Sequence, residues 1–193
     1  MGKIYDTIDE KIQKWMGRQH MFFVATAPLS ADGSVNCSPK GNDTLRVLDQ
    51  HTLAYLDTGG SGIETVAHLR ENGRIVIMMC AFEGPPKIYR FHGRGEVVTP
   101  NHPEFPHLAG LFDGAVLSMR SIIKVHVERI SDSCGFGVPC YEYQKDRDAT
   151  RKYLKTQTPE KFTASLLEMN QSSVDGLGGL TPEEIETFQF PTD

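Results

Sequence analysis

The stretch Tyr55 to Ala81, YLDTGGSGIETVAHLRENGRIVIMMCA, reads as the end of a strand, a glycine turn, a helix and a second strand. Thr52 to Leu56 is short and holds β-branched and aromatic residues, which suits a strand. Thr58-Gly59-Gly60 breaks it. Ser61 stands three residues before Glu64, the spacing of a capping box, so a helix is expected to open there. Ile63, Val66, Ala67 and Leu69-Arg70 continue at helical spacing, and Asn72-Gly73 stops the helix. Arg74 to Ala81 is almost wholly apolar, as in a strand covered on both faces.

A glycine turn that feeds a helix presents free backbone N–H groups at the positive end of the helix dipole, an arrangement that favours a phosphate. Ser61 and Thr65 add hydroxyl donors. From this stretch alone the plainer reading is the stronger one, with Ser61 only a cap and Gly59-Gly60 only a turn.

Composition narrows the class. The chain has 193 residues, which suits one domain with terminal extensions or one large domain, and 39% of them are hydrophobic, enough for a core. A net charge of −5 without a basic run argues against nucleic acid as a partner. No apolar run reaches membrane-spanning length and the N-terminus has no signal-peptide core, so a cytoplasmic protein with no membrane partner is expected. Cys37, Cys80, Cys134 and Cys140 form no C-x-x-C pair, so neither zinc nor a thioredoxin-like motif is indicated. In a reducing cytoplasm a Cys134–Cys140 disulfide is the minority reading. His102, Glu104 and His107 stand among prolines and read as a surface loop, and no metal is expected. No G-x-S-x-G, H-E-x-x-H or P-loop occurs.

Outward from the opening stretch, Ile4, Ile8, Ile12 and Trp15 recur every three to four residues and predict an amphipathic helix over residues 4–17. Its apolar stripe must cover a barrel mouth or a partner subunit. Met21 to Ala27 reads as a strand, Asp32-Gly33 as a hairpin turn, and Ser34 to Cys37 as the return. Ser38-Pro39-Lys40-Gly41-Asn42-Asp43 then interrupts the pattern, before a short strand at Arg46 to Leu48. Lys87 to Val98 alternates, Tyr89 and Phe91 on one side, Arg90, His92 and Arg94 on the other. Met119 to Ile130 alternates again, with Ile123, Val125 and Val127 inward. Six or so mostly antiparallel strands with one inserted helix suggest a small β-barrel. The tail is helical, with starts near Asp146, at Thr158-Pro159 and at Thr181-Pro182. The expected organisation is an N-terminal helix in residues 1–20, a barrel in 21–130 and a helical extension in 131–193.

Strand ends near one helix start could converge on a phosphorylated ligand. In order these are Ser38-Pro39-Lys40-Gly41, Asp57-Thr58 and Ser61, with Arg90 and His92 on a neighbouring strand. This order resembles the pyridoxamine 5′-phosphate oxidase-like, FMN-binding split-barrel family. The resemblance runs from about Met21 to Glu128. It includes Leu69-Arg70-Glu71-Asn72-Gly73-Arg74 and Phe91-His92-Gly93-Arg94-Gly95-Glu96-Val97, and is strongest for a branch of uncertain substrate.

The resemblance implies an α+β fold, mainly β with helices: a split barrel of about six antiparallel strands with a helical C-terminal extension. It implies a homodimer with FMN as cofactor and an oxidoreductase acting on a small molecule. The cofactor-binding set carried over is Ser38, Lys40, Gly41, Asp57, Thr58, Ser61, Gly62, Thr65, Arg90 and His92; no catalytic residue is assigned. Two departures matter. The family's phosphate-binding Arg-Lys pair falls on Glu64-Thr65, and the oxidase's C-terminal substrate signature is absent, Trp15 being the single tryptophan. Pyridoxamine phosphate oxidation is therefore not the expected activity. A non-catalytic flavin or haem carrier on the same barrel is the alternative, and a barrel that has lost its cofactor is a third reading.

Overall fold

The computed structural model describes residues 2–112 and 119–186. The alternating segments become β1 (Ile4–Tyr5), β2 (Phe22–Thr26), β3 (Asn36–Lys40), β4 (Leu45–Val47), β5 (Thr52–Thr58), β6 (Arg74–Cys80), β7 (Ile88–Val98) and β8 (Met119–Ser133). They form one sheet of eight strands in the order β3-β2-β6-β7-β8-β5-β4, with β1 on β8, and every pairing is antiparallel. The sheet curls so that Lys40, at the end of the β3 edge, reaches Asp57 on β5. The result is the expected α+β split barrel, with eight strands instead of about six.

The inward face of the barrel is apolar. Phe22, Val24, Leu53, Tyr55, Ile77, Phe91, Ile123 and Val125 meet there in one buried cluster. A second cluster covers the other side of β5 and β8. There Ala54, Leu56 and Ile122 pack against Leu108 of α3 (Phe105–Ala109), with Phe112 beside them.

The N-terminus departs from expectation. The chain pairs as β1 against β8 before α1 (Glu10–Met16) begins. Asp9 caps α1 by accepting from the Ile12 N–H at 2.8 Å, which fixes the helix start at Glu10, six residues after Ile4. Ile4 is exposed, while Ile8, Ile12 and Met16 close the barrel mouth. The four-residue spacing thus spans a strand and a helix, not one helix.

β3 also differs, because Ser38-Pro39-Lys40 continues the strand. Pro39 lies opposite Phe23 on an edge strand, where its missing N–H costs no ladder bond. The chain turns after it, with Asn42 and Asp43 in the left-handed region at φ 57° and 53°. β6 alternates between buried and half-buried residues, so only one of its faces is fully covered.

α2 (Glu64–Asn72) connects β5 to β6 and ends as expected, on Gly73 at φ 69°. In the tail, α4 (Ala149–Leu154), α5 (Pro159–Asn170) and α6 (Pro182–Glu186) follow the anticipated starts. Thr158 caps α5 through the Lys161 N–H, with Pro159 in its first turn. Phe162, Leu166, Leu180 and Ile185 join the barrel core beside Ile63. Among the described residues no helix is long and apolar enough to cross a membrane. The four cysteines are unpaired.

Candidate functional site

β5 delivers Asp57 into a fully buried position at the end of the barrel. Its carboxylate accepts from Arg120 Nε at 2.7 Å and Nη2 at 3.3 Å, and from the Ser121 hydroxyl at 3.2 Å. Lys40 Nζ stands 3.4 Å away. Burial pushes the Asp57 carboxyl upward, but the charges of Arg120 and Lys40, with the hydrogen bonds from Arg120 and Ser121, hold it below its ordinary value. Arg120 also donates to Asn170 Oδ1 at 2.7 Å, and Asn170 Nδ2 donates to the Gly60 carbonyl at 3.0 Å. One acid against two cations leaves net positive charge beneath the loop that follows.

That loop, Gly59 to Gly62, is built differently. The backbone N–H groups of Gly59, Gly60, Ser61 and Gly62 have no acceptor among the described residues, nor has the Ser61 hydroxyl. Ser61 is exposed, and a side chain placed on Gly60 would meet open space. Gly62 takes φ 85°, in the left-handed region. This kink defers the helix: α2 opens at Glu64 with Ile63 at its N-cap and no side-chain cap. Ser61 is therefore not the cap its spacing suggested. The Glu64 carboxylate turns instead to the tail and accepts from the Val174 N–H at 3.3 Å.

Other expected residues divide by face. Asn36, Ser38 and Lys40 alternate along the inward side of β3. The Ser38 hydroxyl donates to Asn36 Oδ1 at 3.0 Å, and Asn36 Nδ2 donates to the Thr65 hydroxyl at 3.0 Å and to the Thr26 hydroxyl at 3.1 Å. Thr65 is thus buried in a polar row under α2, not at the open loop. Thr58 is half-buried where β5 pairs Met119, and the Gly41 carbonyl accepts from Thr44 at 2.7 Å.

Arg90 and His92 lie elsewhere. The register aligns Ser38, Val24, Ile77 and Phe91 across the inward face. Arg90 then shares the outward face with Met78, Phe23 and Pro39, and His92 with Val76, Ala25 and Cys37. Arg90 donates to the Ser133 hydroxyl at 3.0 Å. Desolvation, then the charges of Arg129 and Arg90, lower the His92 pKa. The structure brings Ser38, Lys40, Gly41, Asp57, Thr58, Ser61, Gly62 and Thr65 to one end of the barrel, and sets Arg90 and His92 on the sheet's other face.

Sequence reasoning missed Arg120, Ser121, Asn36 and Asn170. Arg120 left little signal, since the same strand also carries Lys124 and Arg129. Asn170 left none, since an Asn at a helix end is ordinary.

Comparison with known proteins places this geometry. The family model described as pyridoxamine 5′-phosphate oxidase matches residues 8–134. A pyridoxamine 5′-phosphate oxidase family protein of Aspergillus flavus, ustO, is 33% identical over 196 aligned positions, covering 93% of this chain and 78% of that protein. Among solved structures, HupZ of Group A Streptococcus is similar at 26% identity and a TM-score of 0.53, over 64% of this chain and 91% of HupZ. A histidine-to-alanine variant of HupZ superposes with a TM-score of 0.55 at 25% identity, over 65% and 99% of the two chains. With the family match spanning most of the barrel and the ustO likeness nearly the whole chain, this protein belongs to the pyridoxamine 5′-phosphate oxidase family.

Proposed function

We propose that the chain binds FMN, with the phosphate on the Gly59–Gly62 loop, and serves as a flavin-dependent oxidoreductase in a homodimer. One observation carries this reading. Among the described residues, four consecutive N–H groups and the Ser61 hydroxyl lack acceptors, at the start of α2 and above the Asp57 cluster with its two cations. Unpaired donors at a helix N-terminus suit a phosphate dianion. The family's two cations are absent here, and Lys40 and Arg120 supply positive charge from below. Glu64 accepts the Val174 N–H at Oε1, while its Oε2 stands beside Gly62 and leaves one negative charge at the end of the loop.

Bound FMN would supply the redox chemistry, so no side chain need act as nucleophile. The chain's part is to hold and orient the cofactor. Ser38, Lys40, Gly41, Thr58, Ser61 and Gly62 form the holding set. Asp57 is a positioning residue that fixes Arg120 and Lys40, and Thr65 braces β3 through Asn36. Arg90 and His92 would serve across a dimer, because they share the outward face with half-buried Phe23, Ala25, Val76 and Met78. In this reading residues 21–130 carry the cofactor, residues 1–20 and 131–193 cover it, and the setting is the cytoplasm.

An absorption spectrum of the purified protein, followed by FMN titration, tests the proposal. Flavin bands, or saturable uptake of one FMN per chain, are expected. A Soret band would favour the haem-carrier alternative. No band and no uptake would leave a structural barrel and overturn the reading.

A further inference from the structure

A cavity of about 870 Å³ opens where β2 begins and β3 ends; Lys40 and Gly41 of the flavin-holding set line it, while no residue of the Gly59–Gly62 loop does. Its size falls within the range of small-molecule pockets, roughly 300–1,000 Å³. One wall is the end of α1 and the residues after it. Another is the turn between β6 and β7. The third is the segment 141–147, which has neither helix nor strand and yet is pinned in place. The Tyr141 N–H donates to the Phe82 carbonyl at 3.0 Å, and the Tyr143 N–H to Glu83 at 2.8 Å. Tyr141 stacks on Phe82 with ring centroids 5.5 Å apart, and Tyr143 lies on His20 at 3.6 Å with 8° between the ring planes.

The lining is aromatic on its walls and cationic at its rim. Trp15, held edge-on against Tyr89 at 4.9 Å, forms part of it. Arg18 and Arg147 also line it, and neither makes an ion pair or a side-chain hydrogen bond among the described residues. The acids nearby are mostly engaged: Glu83 accepts the Tyr143 N–H, and Asp146 faces the Tyr143 hydroxyl. Glu142 also lines it, as does Lys145. Flat aromatic walls select a planar ring, and unpaired guanidiniums select a carboxylate, which they grip in bidentate fashion.

We propose that this cavity binds a planar aromatic carboxylate, its ring among the aromatic walls and its carboxylate on Arg18 and Arg147. The inference does not rest on the flavin reading. Trp15 is the single tryptophan of the chain, so its fluorescence reports on this cavity directly.

The test titrates the protein with 4-nitrobenzoate, whose nitroaromatic ring quenches tryptophan on contact. Saturable quenching at one ligand per chain is expected. Uncharged 4-nitrobenzamide should bind about ten-fold more weakly, and so should nitrobenzoate to the Arg18→Ala/Arg147→Ala variant. Both arginines are exposed, so folding should persist, with circular dichroism as the check. Arg18→Lys/Arg147→Lys, which keeps the charge and loses the fork, should fall between and serves if the alanine variant unfolds. Absent or unsaturable quenching, equal binding of the amide, or unchanged affinity in both variants would overturn the proposal. Failure of FMN to bind at all would sink the flavin reading and leave the nitrobenzoate result to decide this one.

Discussion

Asp57 and Ser61 are four residues apart and behave as opposites. Around Asp57 the charged groups are answered: Arg120, Ser121, Lys40, Asn170 and the Gly60 carbonyl close a network. Around Ser61 none of the loop's N–H groups is answered among the described residues. A buried polar cluster must be satisfied internally, whereas an exposed run of unpaired donors is free to meet a ligand. The contrast separates what holds the end of the barrel from what that end presents.

The closed half is broken by Arg120→Ala. Its guanidinium is nearly inaccessible, and its loss leaves a buried carboxylate with only Lys40 as a charge partner. Removing one member of a buried pair costs roughly 3–5 kcal/mol, and denaturant unfolding of the apo protein should record it. If instead stability holds while FMN binding disappears, the cluster belongs to the ligand and the contrast fails.

The open half is broken by Ser61→Gly. Ser61 caps nothing, so apo stability should stay put. A hydrogen bond to a charged group is worth about 1.5–3 kcal/mol, so FMN affinity should fall about ten-fold or more. Isothermal titration of both proteins separates these outcomes.

A second, half-buried carboxylate sharpens the comparison. Asp132 accepts from Lys87 at 2.8 Å, from the Tyr5 hydroxyl at 2.7 Å and from the Lys3 N–H at 2.7 Å, tying β1 to β8. Burial raises its carboxyl, but Lys87, Tyr5 and Lys3 bring it down to about 2. A lowered folded value means the unfolded chain binds the proton first. The contribution is full above the unfolded value near 3.8 and is lost as pH falls toward about 2. Asp132→Asn should lower stability at neutral pH by about 1–3 kcal/mol and flatten that part of the acid limb. Unfolding curves between neutral pH and the acid limit, with and without the substitution, read both effects. An unchanged limb would mean that other carboxylates carry it.

The smallest expected effect is at Glu64. Glu64→Gln keeps an acceptor for the Val174 N–H and removes negative charge next to the loop. FMN should bind two- to five-fold tighter at low salt, in line with the about 0.3–1 kcal/mol of a charge at a helix end, and the gain should shrink at high salt. A gain that ignores salt would point to a packing change instead.

Much of the barrel was legible because strand alternation and glycine stops are local signals. Tyr89, Phe91, Ile123, Val125 and Gly73 all sit where the pattern put them. What was not legible depends on partners far along the chain. β1 exists because β8 lies beside it, and nothing in Ile4-Tyr5 announces that. The start of α2 was misplaced because Gly62 turns into the left-handed region and Glu64 finds Val174, 110 residues away. The site was half legible for the same reason. Ser38, Lys40 and Asp57 could be placed at strand ends, but Arg120 and Asn170 reach Asp57 and Gly60 only through the closed fold. Arg90 and His92 were grouped with the rest by spacing, and the register moved them to the other face.

The most direct test of the central claim compares FMN with riboflavin, which differ only in the phosphate. If the unpaired N–H groups of Gly59–Gly62 hold that phosphate, FMN should bind about a hundred-fold or more tightly than riboflavin, the equivalent of about 3 kcal/mol, and added salt should narrow the gap. Equal affinities for the two, at low salt and on the folded protein, would contradict the account, because the loop would then hold nothing that the phosphate provides.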